Sequence, residues 1–293
     1  MCSLLKWLPV TLPIRLIAID IDGTLLDSRF QVSEANLSAL RKAHESGVEI
    51  TLVTGRRHAF AMPIADALGF PLWLISSNGA VTKSTAGELF HRDLLPAKTA
   101  RKLLGLMEEY RGSAVVTFDR EDRGALVIER SDELHASISR WMEKNAAYIS
   151  QVVPLEDCLV TDPIQTMFCG SIERMRGAQE RLAASGMDDE ITVLKTEYEA
   201  RDLTIIDVLN HACSKGHAVE RWAHRRGIKP EQVMAIGDNY NDVEMLEFAG
   251  IPVIMGNACQ ELLRAGYNPT GTNDESGVAG AIERVLSLSV AKS

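Results

Sequence analysis

The sequence predicts an α/β protein: a parallel sheet alternating with helices, interrupted by an inserted α+β segment. Three observations carry that expectation. Short apolar runs alternate with helix-period segments through short loops towards both ends of the chain, the pattern of βαβ units. Between about Val81 and Asp202 the rhythm becomes helix, strand pair, helix, strand, helix, strand. Three of the flanking runs end abruptly in polar clusters, and in an open parallel sheet the carboxyl ends of the strands are where ligands bind.

Taken in order, Leu16-Ile17-Ala18-Ile19 is too short for a helix and reads as a strand buried on both faces, ending in Asp20-Ile21-Asp22-Gly23-Thr24. Leu25 to Val32 is a loop. Ser33 is a good N-cap for a helix carrying Leu37, Leu40 and Ala43, which Gly47 stops. Val48 to Val53 is a second strand, ending in Thr54-Gly55-Arg56. A helix follows from Arg57 to Leu68, disturbed early by Pro63 and closed by Gly69. Leu72 to Ser76 is a third strand, ending in Ser77-Asn78-Gly79-Ala80.

In the inserted segment, helices are expected over 98–110, 132–147 and 172–184, and strands over 114–118, 125–129, 164–169 and 191–194. Helices on one face of an antiparallel sheet would satisfy that order. Leu203 to Val208 is expected to lead back to the first sheet, giving a discontinuous core of 1–82 and 203–293 around an inserted domain of 83–202. Ser214 then caps a helix holding Ala218, Val219 and Trp222, with Lys215 in its first turn. The macrodipole disfavours a cation there unless it faces an anion, which raises interest in Lys215. Val233 to Ile236 is a core strand ending in Gly237-Asp238-Asn239-Tyr240-Asn241-Asp242. A helix over 243–249, a strand over 251–255, Gly256-Asn257-Ala258 and two closing helices complete the chain.

The bulk numbers bound the function. The 293 residues are 46% hydrophobic and 24% charged, as in an ordinary globular protein of one large domain or two. A net charge of −9 argues against a nucleic-acid partner but not against a small phosphorylated substrate held by local cations. The five cysteines have no metal-ligand spacing, so reduced thiols are the default. Pro9, Pro13 and Arg15 interrupt the apolar start, and no apolar run approaches bilayer length. A cytoplasmic protein without a membrane partner is expected. The seven histidines form no ligand pattern.

Asp20 with Asp22, Thr54, and Asp238 with Asn241 and Asp242 all fall at core-strand ends, and Lys215 opens the helix before the last of these strands. Any one cluster reads as a turn; together they call for chemistry. Carboxylates at short range must share protons or hold a cation, and Mg²⁺ suits oxygen ligands and substrate phosphate. A hydroxyl and an ammonium would complete a cradle for phosphoryl oxygens.

The set Asp20-Ile21-Asp22-Gly23-Thr24, Thr54-Gly55-Arg56, Lys215-Gly216 and Gly237-Asp238-Asn239-Tyr240-Asn241-Asp242 resembles the four motifs of the haloacid dehalogenase (HAD) superfamily. Ser77-Asn78-Gly79-Ala80, Met255-Gly256-Asn257-Ala258 and Ser276-Gly277-Val278 look like its Cof-type subfamily, the IIB group of phosphatases. The resemblance runs from about Leu16 to Val285 and implies a Rossmann-like core with a C2-type cap. It implies a Mg²⁺-dependent phosphatase acting on a small phosphorylated metabolite, with Asp20 as nucleophile and Asp22 as acid and base. Asp20, Asp22 through its carbonyl, Asp238 and Asp242 would hold the metal, Asp242 directly or by orienting other ligands. Thr54 and Lys215, joined by Asn241, would bind the phosphoryl group.

Other readings stay open. Gly55 and Arg56 are candidates for a substrate pocket, and Arg56 would reach substrate or take a surface or ion-pairing role. Asn78 and Asn257 serve either a pocket or turns, and Asn273 and Asp274 are weaker candidates. A phosphosugar mutase of the same superfamily and a phospho-aspartate switch or binding protein are the alternative functions.

Overall fold

The computed structural model describes residues 13–130, 134 and 138–290. The chain divides into two compact units, separated between Arg92 and Asp93 and again between Ser214 and Lys215.

The first unit opens with β1 (Leu16–Asp20), α1 (Glu34–Glu45), β2 (Glu49–Val53), α2 (His58–Leu68), β3 (Trp73–Ser76), β4 (Val81–Ser84) and β5 (Leu89–Arg92). The second unit holds α3 (Ala97–Leu106), β6 (Ala114–Thr117), β7 (Leu126–Ile128), α4 (Ser139–Asn145) and β8 (Ile149–Gln151), then β9 (Gln165–Gly170), α5 (Ile172–Ala183), β10 (Ile191–Tyr198) and β11 (Leu203–Asn210). The first unit resumes with α6 (Lys215–Arg225), β12 (Val233–Gly237), α7 (Val243–Phe248), β13 (Ile251–Ile254), α8 (Gln260–Leu263), β14 (Asn268–Pro269) and α9 (Gly277–Val290).

The sheet of the first unit runs β14-β13-β12-β1-β2-β3-β4-β5. It is parallel from β14 to β3, and the β3–β4 and β4–β5 pairs are antiparallel. Side-chain alternation along β1 builds two cores. Ile17 and Ile19 pack with α1, α2 and α9, whereas Leu16 and Ala18 pack with α6 and α7. A strand covered on both faces reads as a continuous apolar run, which is why β1 is recognisable without alternation.

The sheet of the second unit runs β10-β11-β9-β6-β7-β8, antiparallel except for the β7–β8 pair. Phe168, Ile206 and Val208 face one core with Leu103, Met175 and Leu182 of α3 and α5. Val115, Leu126 and Ile128 pack on the other face with Trp141 and Met142 of α4. The helix expected over 132–147 falls partly outside the described residues.

The boundaries differ from the expectation of 82/83 and 202/203. Residues 81–92 form β4 and β5 at the edge of the first sheet, strands too short and polar for periodicity to reveal. Leu203 to Val208 does not return to that sheet; β11 pairs with β10 from Leu203↔Tyr198 to Asn210↔Ile191 and with β9 on its other side. An apolar run fits the middle of either sheet, so sequence alone could not choose. The partner strand β10 extends to Tyr198 rather than Leu194 because Lys195, Thr196 and Glu197 mask its end. Among the described residues no helix is long and apolar enough to cross a membrane.

One buried side chain ties the first unit together. Asn36 of α1 donates through Nδ2 to the Leu25 carbonyl (3.3 Å) and accepts from the Ala279 amide (2.9 Å), joining the loop after β1 to the start of α9. Asn36→Ala should leave two buried backbone groups unpaired and cost about 2–3 kcal/mol. Urea unfolding should show a lower midpoint with an unchanged slope.

Candidate active site

The strand order sets the site. β1 lies between β12 and β2, with Ile19 opposite Ile236 and Asp20 opposite Val53. Asp20 at the end of β1, Thr54 just past β2 and Asp238 just past β12 therefore emerge side by side. Close approach then depends on two glycines. Gly23 has φ +86°, and a Cβ there would lie 2.3 Å from Asp238 Oδ2. A Cβ on Gly237 would lie 2.6 Å from the Asp242 carboxyl carbon, so only glycine lets that carboxylate fold back over the loop.

The folded-back Asp242 accepts from the amides of Asp238 and Asn239 through Oδ2, both at 3.0 Å. Its Oδ1 accepts from Lys215 Nζ at 2.7 Å, and the same ammonium donates to Asp20 Oδ1 at 2.6 Å. Lys215 is 1% exposed, so the lysine expected to face an anion faces two, in the interior. Asp238 Oδ1 accepts from the Thr24 hydroxyl at 2.9 Å. Thr24 was not singled out as a site residue, although it closes the first motif.

Asp20, Asp238 and Asp242 each offer an oxygen within 4.8 Å of the others. One ammonium among three buried carboxylates leaves excess negative charge out of water. Burial is the largest cause that pushes the Asp20 carboxyl up to about 7; Lys215 opposes the rise, while Asp242 and Asp22 add to it. Burial, with Asp20 and Asp242 nearby, also raises Asp238 well above the usual carboxylate range. Burial acts to lower Lys215, but the two carboxylates overcome it and hold the ammonium charged. An all-oxygen set with uncompensated charge is the donor chemistry a hard divalent cation takes. Asp20 and Asp238 suit it as ligands. Asp242 has both oxygens engaged by Lys215 and two amides, so its geometry is that of an orienting group.

The remaining predicted residues divide. Asp22 is half-buried, and its carboxylate takes a two-point contact from Arg56, Nε to Oδ2 at 2.6 Å and a terminal nitrogen to Oδ1 at 2.5 Å. Arg56 thus pairs with a carboxylate, one of its two readings. Thr54 is buried, and its hydroxyl accepts from the Arg56 amide at 3.1 Å. Asn241 Nδ2 donates to Asn78 Oδ1 at 3.0 Å, and Gly55 lies against the same oxygen. Asn257 is exposed, and its amide is engaged at both ends: it donates to the Gly23 carbonyl at 2.8 Å and accepts from the Asn273 amide at 2.9 Å. This favours its turn-forming reading. Asn273 also donates to the Leu26 carbonyl and Asp274 accepts from the Ser28 amide, so both pin the loop after β1. Nothing in their spacing signals that tie.

Comparison with known proteins places this constellation. Residues 17–282 match the model of the haloacid dehalogenase-like hydrolases. The chain belongs to that family. It is 34% identical over 298 residues to "Phosphatase YwpJ" of Bacillus subtilis, covering 93% of this chain and 100% of the relative. It is 32% identical over 250 residues to an "HMP-PP phosphatase" of Shigella boydii, covering 85% and 90% of the two chains. A solved haloacid dehalogenase-like hydrolase from B. subtilis superposes with a TM-score of 0.77 at 28% identity, covering 92% of this chain and 99% of that one. The chain is an enzyme, a phosphatase of the haloacid dehalogenase family.

The raised carboxyls bear on stability. The unfolded chain ionises Asp20 and Asp238 near their ordinary values, whereas the folded metal-free protein resists ionisation. It therefore binds more protons than the unfolded chain, and these groups subtract stability as pH rises from about 4 towards 7. Asp238→Asn should melt higher than wild type in chelator, by a margin that grows between pH 5 and 7.5. A margin independent of pH would contradict the assignment.

Proposed function

We propose that the protein hydrolyses the phosphoric monoester of a small metabolite, with Mg²⁺ as cofactor and a phosphoryl group carried on Asp20. The observation that carries this reading is the buried Asp20–Lys215–Asp242 cluster beside Asp238, at the joined ends of β1 and β12. Phosphoryl transfer needs an in-line nucleophile, charge neutralisation and a proton for the leaving oxygen, and this cluster supplies the first two.

Asp20 attacks phosphorus through one carboxylate oxygen, and the bond from phosphorus to the metabolite oxygen breaks. Asp22 delivers a proton to that departing oxygen, then takes one from the water that attacks the aspartyl-phosphate, so Asp20 and inorganic phosphate are regenerated. Lys215 and Thr54 hold phosphoryl oxygens, with Asn241 beside them. Asp20, Asp238 and the Asp22 carbonyl would hold Mg²⁺, oriented through Asp242; the ion, when bound, neutralises charge developing on the phosphoryl oxygens. We assign the inserted unit as a C2-type cap. The substrate class agrees with the relatives, one of which is named for HMP-PP.

A panel of phosphorylated metabolites assayed with Mg²⁺ for released phosphate tests this reading. Asp20→Asn should fold and lose turnover on every member; undiminished turnover would reject the nucleophile. Lys215→Ala should lower kcat/KM by about two orders of magnitude, the effect of removing one preorganised charge-stabilising donor, roughly 3 kcal/mol.

Asp22 yields to a separate measurement. Asp22→Asn should slow phosphorylation of the enzyme by alkyl phosphates far more than by p-nitrophenyl phosphate, whose leaving group needs no proton. Equal slowing in single-turnover experiments would remove Asp22 from the acid role.

A further inference from the structure

The turn after β3 carries two consecutive non-glycine residues in the left-handed region, Ser77 at φ +50° and Asn78 at φ +53°. The conformation costs a residue such as Ser77 about 1–2 kcal/mol and asparagine less, and both residues are fully buried. Strain of this kind persists only where the surroundings over-determine it, and it gathers at functional sites.

The surroundings here are the loops assigned to phosphate binding. The Ser77 amide donates to the Arg56 carbonyl at 2.8 Å, and the Asn78 amide donates to the Thr54 carbonyl at 3.0 Å. The turn is therefore hung on the segment that carries Thr54. The Asn78 side chain reaches the other way, its Oδ1 accepting from Nδ2 of Asn241, 163 residues along the chain. A Cβ on Gly55 would lie 3.1 Å from that Oδ1, so the glycine makes room for the amide.

Residue type sharpens the argument. Glycine would occupy φ +53° without strain, and asparagine only tolerates it. The asparagine side chain is engaged there, accepting from Asn241 Nδ2 at 3.0 Å, which glycine could not do. A primary amide nitrogen carries two hydrogens in one plane, so the bond to Asn78 fixes the direction of the second.

We infer that Asn78 is a positioning residue for phosphoryl recognition: it locks the Asn241 amide in register with Thr54, so that the second N–H is preset for an anionic oxygen. The inference rests on the phosphatase reading and adds to it a residue that touches neither the metal nor the ester.

Asn78→Gly deletes the acceptor while relieving the backbone, so folding is retained. Inorganic phosphate is titrated calorimetrically into protein with Mg²⁺, alongside a thermal melt. Asn78→Gly should keep its melting temperature within a few degrees and bind phosphate about tenfold more weakly, the loss of one oriented hydrogen bond to a charged group. Asn241→Ala should bind phosphate as weakly, and the double variant no more weakly than Asn241→Ala alone, because Asn78 acts through Asn241. Gly55→Ala, which crowds the same amide, should weaken phosphate in wild type but not in the Asn78→Gly background. Wild-type affinity in Asn78→Gly, or losses that add in the double variant, would overturn the inference. A wild-type enzyme that releases phosphate from no member of the metabolite panel would instead overturn the phosphatase reading, so the two failures are told apart.

Discussion

The contact on which the site depends is the buried ammonium of Lys215, shared between Asp20 and Asp242. Taking such charges out of water costs several kcal/mol per ion, and removing one partner of a buried set is worse than replacing it whole. The fold supports the arrangement from several directions. Lys215 begins α6, and a Cβ on the next residue, Gly216, would lie 2.6 Å from the Glu244 backbone, so glycine there lets α6 and α7 close on each other. Asp242 is held in turn by two backbone amides of its own loop. Lysine, carboxylate and loop are one unit, and Asp20 is poised against it.

That unit remains short of positive charge. Asp238 joins Asp20 and Asp242, and only Lys215 answers them from within the cluster. The protein thus carries a deficit at a buried polar cluster, which stability alone would select against. The deficit is explained if the site is completed by a cation and an anionic ester together, each tolerable only with the other. The overall charge of −9 is no obstacle, since the field that matters is local.

What the sequence made legible follows from what is local in it. β1 and β12 announce themselves as apolar runs ending in aspartate, and a parallel sheet obliges such ends to converge, so Asp20, Thr54, Lys215 and Asp238 could be gathered from spacing alone. Thr24 carries no local sign of its partnership with Asp238, because its hydroxyl finds that carboxylate 214 residues away. The membership of β11 was misread for a related reason: an apolar run records burial, not which sheet buries it. The last two strands of the sheet, β4 and β5, are four residues each, β4 polar though mostly buried and β5 half-exposed to exposed, so they carry almost no periodic signal.

The two aspartates of the first motif, with Ile21 between them, would share a face if the strand ran on; they end in different environments because β1 stops at Asp20 and the chain turns at Ile21. Asp20 turns inward to the lysine and the other carboxylates, where burial lifts it to about 7. Asp22 turns to the half-exposed rim, where the planar fork of Arg56 fixes both its oxygens. The Arg56 backbone is itself pinned, its amide on the Thr54 hydroxyl and its carbonyl on the Ser77 amide. The orientation of Asp22 is therefore inherited from the loop that carries Thr54. A carboxylate buried beside an ammonium and one held at the half-exposed rim are in the contrasting environments that the proposed division of roles needs. Two identical side chains two positions apart meet different surroundings because the strand ends between them.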